Sequence, residues 1–591
     1  MTKQDKQQAT FYTLNIILSI FGFFSFIMLI MMTGFVLSDN VIDILTIFIK
    51  IQIGFFISQE IYRIIIVEEK TAFIKKRYVE IILALLFLVY LLLPEQVTNI
   101  FKMIVPSLRE NDLGIIYLIV AQLPFLLVII KKLLKYSQRL GRIQLHSGAI
   151  FTISFALIIL FGSFLLVLPK SVPTGHEQMK YVDALFTSTS AVCVTGLVVV
   201  DTAKDFSTQG QIFIVSLIQV GGLGVLTLTA LFAMFANGGI SFQIRVIMGD
   251  VLSDDNLSDV TQMIKRIILY TAFIELFCAM VMYFSLGGSI LQPDGVLIYT
   301  SMFHSVSAFC NAGFSTFEGN LMNPIVQNNY LFVSFIMILI VLGGIGFPVI
   351  QNIVHLKPFQ RHQKRIRYQL TITTKLALIT TGILIFLPAI IIYFVEQMPY
   401  LPGASEFNKF FHALFISVTT RTAGFNTTPI EMMKGPAVLI TLILMAIGAS
   451  PASTGGGVKT TTFAIVFMQF IRLLKGQERL IIFNREIHRE IVRKALLIMF
   501  TYAMCAFAGT LIISVIDPQF SIVDISYDVV SALSTVGLSR NLTPSLSDAS
   551  KIVLILCMFI GRISVLTFFM AFHRPKLEPN FKLPKTNVMI G

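Results

Sequence analysis

A short stretch that occurs four times constrains this chain more than any other feature. FTSTSAVCVTGL (186–197), FHSVSAFCNAGF (303–314), FISVTTRTAGFN (415–426) and VVSALSTVGL (529–538) each carry a polar run, a small-residue tripeptide ending in glycine, and then an apolar residue. Their glycines, Gly196, Gly313, Gly424 and Gly537, stand 117, 111 and 113 positions apart. A fixed period decides architecture before any single residue does. Each stretch ends a short segment lying between long apolar spans. Some 12 apolar residues cannot cross a bilayer, so such a segment must enter and leave from one side. Non-helical backbone at membrane depth survives only against protein or a watery cavity.

The surrounding chain fits a membrane. Apolar residues make up 55% and charged ones 13%, whereas soluble domains carry about 25% charge. Spans of about 20 apolar residues recur throughout, so the expected fold is an all-α polytopic membrane protein. Residues 1–145 hold four candidate helices (about 11–37, 41–66, 79–93 and 112–131) and are expected to form an accessory bundle. Residues 146–573 divide into four units of helix, re-entrant segment and helix: about 146–236, 260–355, 370–475 and 490–573, followed by a tail at 574–591. The second helices are expected at 211–235, 330–354, 437–474 and 549–573.

Charge sets the expected orientation. The net charge of +13 is spread over short loops, which is the positive-inside pattern and not a nucleic-acid surface. The loop carrying Lys357, Arg361, Lys364, Arg365 and Arg367 is basic, as is the one carrying Arg472, Lys475, Arg479 and Arg485, whereas 286–302 and 315–335 contain no Lys or Arg. The N-terminus, the 67–78 loop and the unit-joining loops are therefore expected in the cytoplasm, with the glycine stretches opening outward. The span 112–131 lacks the repeated arginines of a voltage sensor. Five cysteines without CxxC spacing support neither a disulfide framework nor a zinc site.

Glycine permits positive φ, so successive carbonyls can be turned inward. Rings of carbonyl oxygens replace the hydration shell of a monovalent cation, and the C-terminal end of each preceding half-helix favours a cation. Glycines serving only close helix packing would explain one such stretch, but not four on one side of the membrane. A transporter built from two halves would show its symmetry twice. A second signal is GASPASTGGGVK (448–459), which interrupts an apolar span. Pro451 and three consecutive glycines cannot continue a helix. Val458 separates the last glycine from Lys459, so this is not a phosphate-binding GxxxxGK[ST] loop.

With these residues in view, 148–573 resembles the Trk/Ktr/HKT superfamily of potassium transporters, and most of all the bacterial Ktr and Trk membrane subunits. SAVCVTGLVVVDT (190–202), SAFCNAGFSTF (307–317), SVTTRTAGFNTT (417–428), SALSTVGLSRNLTP (531–544) and GASPASTGGGVKTTTF (448–463) carry the resemblance. It implies one pseudo-tetrameric pore per chain, a homodimer in membrane lipid, and a separate cytosolic nucleotide-binding regulatory subunit. No cofactor is implied, only K+, and in some members Na+, as transported ion. Carried over, the filter backbone is Val194–Thr195–Gly196, Asn311–Ala312–Gly313, Thr422–Ala423–Gly424 and Thr535–Val536–Gly537. Glycine at the close of the first repeat resembles the potassium-selective type. The gate is Gly448, Ser450, Pro451, Ser453, Thr454, Gly455, Gly456, Gly457 and Lys459, with Arg562 as an electrostatic barrier below the filter. Cys193, Cys310 and the GRISVLTF segment (561–568) depart from the common pattern.

Other polar residues at membrane depth carry expectations too. Arg421 braces the filter, paired with an acid such as Asp524 or Asp528. Glu275 is an intramembrane acid and so functional by default. His304 and His412 are scaffold residues at equivalent repeat positions. The expected function is potassium uptake across the bacterial plasma membrane, linked to Na+ or H+. The alternative is a gated cation channel controlled by the N-terminal bundle. An enzyme is not expected, because neither HExxH, GxSxG nor a paired-acid constellation is present.

Overall fold

The computed structural model describes residues 3–67, 70–76, 147–224, 260–288, 293–354, 370–399 and 405–572, with isolated positions between them. The span expected at 79–93 lies mostly outside these residues and that at 112–131 wholly outside, as do the tail 574–591 and the loop basic at Lys357–Arg367.

The described chain is almost entirely helical. Helices α1 (Lys3–Gly34) and α2 (Asp39–Ile66) form an N-terminal hairpin, followed by short α3 (Lys70–Lys76). A long helix, a short one and a third then recur. They are α4 (Ser147–Val167), α5 (Tyr181–Val192) and α6 (Thr208–Leu223); then α7 (Val260–Gly287), α8 (Asp294–Phe309), α9 (Tyr330–Ile345) and α10 (Phe347–Val354). Next come α11 (Ile372–Glu396), α12 (Glu406–Thr419), α13 (Gly435–Ala446) and α14 (Thr460–Leu474). The last are α15 (Arg489–Ile516), α16 (Ile522–Leu533), α17 (Asp548–Ile563) and α18 (Val565–Phe572). A small antiparallel pair, β1 (Ile481–Ile482) and β2 (Arg485–Glu486), precedes α15.

Local chemistry sets these boundaries. Ser207, Asn329 and Ser547 cap α6, α9 and α17 by accepting hydrogen bonds from Gly210, Phe332 and Ser550 N–H, which satisfies donors left open at a helix start. The second helices of units two and four were expected as continuous spans, and here the structure corrects the sequence. Helices α9 and α10 meet at a 98° bend, where Gly346 takes φ +95°; α17 ends before Ser564, which takes φ +79°. A left-handed residue cannot continue a right-handed helix.

Among the described residues, α1, α2, α7, α11 and α15 contain stretches long and apolar enough to cross a membrane, and the bent α9–α10 pair makes a sixth. Their outer faces keep large apolar side chains uncovered: Phe273, Phe284 and Phe394 are 69%, 70% and 69% exposed. That is the surface lipid would cover. The C-terminal halves of the short helices are buried instead, and Phe186, Phe303, Phe309 and Phe415 pack between them and the longer helices. The N-terminal hairpin rests on the first unit. Lys170 Nζ donates to Met32 O at 2.7 Å, and Gln209 Nε2 donates to Thr33 O, capping carbonyls at the end of α1.

A ring of backbone and the loop beneath it

Each short helix ends in the same way. Its C-cap residue, Cys193, Cys310, Thr420 or Ser534, keeps right-handed geometry. The chain then turns left-handed at Val194 (φ 56°), Asn311 (61°), Thr422 (67°) and Thr535 (53°), and again two residues later at Gly196 (90°), Gly313 (70°), Gly424 (77°) and Gly537 (96°). The residues between, Thr195, Ala312, Ala423 and Val536, have no positive φ. Alternating handedness turns successive peptide planes to one side, at a cost only glycine escapes.

The N–H groups face back toward the short helices. Thr195 N donates to Ser190 O at 2.8 Å, Ala312 N to Ser307 O at 2.7 Å, Ala423 N to Thr419 O at 3.0 Å, and Val536 N to Ser531 O at 2.8 Å. The carbonyl oxygens of those same residues accept no hydrogen bond among the described residues. Buried carbonyls are rarely left without a partner.

The four stretches close into a ring. A Cβ on Gly196 would meet Ala312 O and lie 3.1 Å from Gly313 Cα; on Gly313 it would lie 2.8 Å from Ala423 O and 2.9 Å from Gly424 Cα. On Gly424 it would lie 2.6 Å from Val536 O, and on Gly537 it would meet Thr195 O and lie 2.9 Å from Gly196 Cα. The order is therefore first, second, third, fourth and back to first. On one side of the ring the glycines and the chain beyond them line a cavity of about 500 Å³, with Asp201, Asp205 and Glu431 among its walls. Acids lining a concave mouth raise local cation concentration.

On the other side lies the 448–459 loop, entered from α13 and left into α14. Ile447 and Val458 form a parallel bridge across its neck. A Cβ on Gly455 would meet Thr422 Oγ1, and one on Gly456 would lie 2.5 Å from Thr535 Oγ1; Gly456 N donates to that oxygen at 2.9 Å. Gly457 takes φ 71° against Gly448. Ser450 N and Thr454 N donate to Gly344 O and Gly343 O, Ser450 Oγ meets Thr460 Oγ1 at 3.0 Å, and Ser453 Oγ caps Ser450 O at 2.6 Å. Pro451 carries the turn against Gly346, whose Cβ would meet Pro451 O. Lys459 folds back to donate to Gly455 O at 2.5 Å. Arg562, in the last turn of α17, donates to Thr454 O and to Gly221 O. The loop is thus tied by polar contacts to the second and fourth units, with three glycines where any side chain would collide.

Two polar expectations change. Arg421 is buried, but its guanidinium donates to Thr381 Oγ1 at 3.3 Å. It pairs with neither acid suggested for it: Asp524 pairs with Arg540 at 2.6 Å, and Asp528 Oδ2 accepts from Ser539 and Thr543. His304 and His412 are both buried but not equivalent. His304 lies nine residues before its glycine and His412 twelve, in a turn one residue shorter, so His412 sits one helical turn earlier. Glu275 is buried, and Gln219 Nε2 donates to its carboxylate at 3.1 Å. The pair of buried Lys551 with half-buried Asp183 at 2.7 Å, which joins the fourth unit to the first, leaves no trace in the sequence, because its partners lie 368 residues apart.

Fold and ring together define a multi-pass helical membrane protein organised around a backbone-lined axis. The family model described as TrkH, cation transport protein, matches residues 119–579, and the chain belongs to that family. The Ktr system potassium uptake protein B of Bacillus subtilis (strain 168) is 34% identical over 444 residues, spanning 75% of this chain and 96% of that protein. The potassium/sodium uptake protein NtpJ of Enterococcus hirae is 34% identical over 472 residues, 79% of this chain and 100% of NtpJ. The crystal structure of the potassium transporter TrkH from Vibrio parahaemolyticus matches with a TM-score of 0.59 over 84% of this chain and 97% of that one, at 17% identity, which shows a shared fold. Membership of a cation-transport family, not of an enzyme family, answers the enzyme reading in the negative.

Proposed function

We propose that the protein takes up potassium across the bacterial plasma membrane, through a filter made by the carbonyls of 194–196, 311–313, 422–424 and 535–537. The observation that carries this reading is the closed ring in which the Thr195, Ala312, Ala423 and Val536 carbonyls accept no hydrogen bond among the described residues, an arrangement that a partly dehydrated monovalent cation would complete. The C-terminal ends of α5, α8, α12 and α16 add negative potential at the same place. The names of the relatives, potassium uptake and potassium/sodium uptake, support the cargo and leave Na+ as co-transported or activating ion.

In this reading the 448–459 loop is the gate. It lies against Thr422 and Thr535, on the ring's inner side, and must withdraw for ions to pass. Arg562 holds it closed through Thr454 O and Gly221 O, and its charge repels cations there. Arg421 braces the third filter strand against α11. Residues 146–573 form the pore and 1–145 an accessory bundle, with N-terminus and unit-joining loops in the cytoplasm. The chain works as a homodimer with a separate cytosolic nucleotide-binding subunit, whose docking withdraws the loop.

Growth of a potassium-uptake-deficient bacterium at limiting K+ tests the filter. Wild type rescues, and Gly313→Asp, expressed to the same level, does not. Equal rescue by both would remove the filter assignment.

A further inference from the structure

Two side chains behind the ring do the same job from opposite sides. His304 on α8 and Asp528 on α16 each lie nine residues before their filter glycine, and each holds a serine two residues after it. His304 Nδ1 faces Thr300 O at 2.8 Å; a carbonyl only accepts, so Nδ1 carries the proton and Nε2 accepts from Ser315 Oγ at 2.9 Å. Asp528 Oδ2 accepts from Ser539 Oγ at 3.0 Å and from Thr543 Oγ1 at 2.6 Å. Each serine oxygen in turn accepts a backbone N–H just downstream, from Phe317 at 3.0 Å and from Leu542 at 3.3 Å. His304 and Asp528 are buried to 0% and 1% exposure.

The other two units lack this strap. In the first, Thr187 occupies the matching position but donates to Asp183 O of its own helix, and Val198 stands where the serines would be. In the third, His412 reaches Thr427 Oγ1 from one turn earlier, at 2.9 Å. The ring order places the second and fourth units opposite each other, so the matched straps act along one diameter.

We infer that His304 and Asp528 are selectivity-determining positioning residues, which fix the width of the ring by tying down the chain just outside Gly313 and Gly537 through Ser315 and Ser539. The inference rests on the transport reading above and deepens it. A carbonyl ring distinguishes ions by size and field only as far as its walls are held, and a buried hydrogen bond to a side chain of the supporting helix holds a wall at small entropic cost.

The test uses the full chain in proteoliposomes, reading K+ and Na+ flux for Ser315→Ala, Ser539→Ala, their double variant, and Ser315→Thr and Ser539→Thr. The double alanine variant should raise both the K+ KM and the Na+/K+ flux ratio on the order of tenfold, the effect of losing one or two buried hydrogen bonds. Its Vmax at saturating K+ and its folded yield should stay close to wild type. The threonine variants, which keep the hydroxyl, should restore the ratio. An unchanged KM and ratio would overturn the inference, and so would a fall in Vmax or yield with the ratio constant. Failure of the wild type to carry K+ would instead overturn the transport reading beneath it.

Discussion

The third unit and the other three solve the same packing problem differently. In the first, second and fourth units a glycine of the helix after the filter lies against the last carbonyls of the short helix: Gly221 against Val192, Gly343 against Phe309, Gly561 against Leu533. A left-handed residue then ends the helix, Gly224, Gly346 or Ser564. In the third unit α13 stops at Ala446, and the chain detours through 448–459 before α14 resumes. Its filter turn is also one residue shorter, with Thr419 five rather than six positions before the glycine, and Arg421 lies within it. The repeated parts build the ring, where, in the function proposed above, near-fourfold symmetry matters to an ion on the axis. In that same proposal the irregular part is a single obstruction, which needs only one copy to close one path.

This contrast can be broken at several points. The largest effect belongs to the symmetric part. Gly313→Asp places a side chain at φ +70° and 2.8 Å from Ala423 O. Strain of roughly 3 kcal/mol at the ring lowers K+ uptake by about 100-fold or more, and the growth assay reads it. Next is Arg562→Gln, which weakens two charge-assisted bonds and should free the irregular part: resting cation flux in proteoliposomes holding this chain alone rises about tenfold. A decrease would make the arginine a support of conduction instead.

Lys551→Met tests closure of the ring between the fourth unit and the first. It leaves Asp183 without its buried partner, and thermal unfolding of the purified protein should show a loss of roughly 3 kcal/mol. The smallest effect is expected at Ser564, where the fourth unit holds a serine at the left-handed position that the first two units give to glycine. Ser564→Gly should stabilise the protein by about 1 kcal/mol in the same unfolding assay, without changing selectivity.

How far the chain could be read follows from the same contrast. The ring was legible because a glycine at constant spacing reports a backbone requirement that packing cannot override, and the short helices came with it. The loop was legible because Pro451 and Gly455–Gly457 forbid a helix in any context. The breaks at Gly346 and Ser564 were not, since a single glycine or serine in an apolar run is compatible with a straight helix until the tertiary neighbours force its φ. Partners of buried charges were not legible either. Arg421 was expected to meet an acid and found Thr381; Asp183 and Lys551 met across most of the chain. The straps at Ser315 and Ser539 left a faint trace, the shared Gly-X-Ser, whose meaning depends on a helix folded behind it.

The most direct test of the central claim is uptake of radiolabelled rubidium, standing in for K+, into liposomes holding the purified chain. Wild type and Gly424→Asp would be compared with and without excess unlabelled K+. The account predicts uptake by wild type, suppression of that uptake by K+, and loss of uptake in a well-folded Gly424→Asp. Equal uptake by both proteins would contradict it, because ions would then be crossing by a route other than the ring.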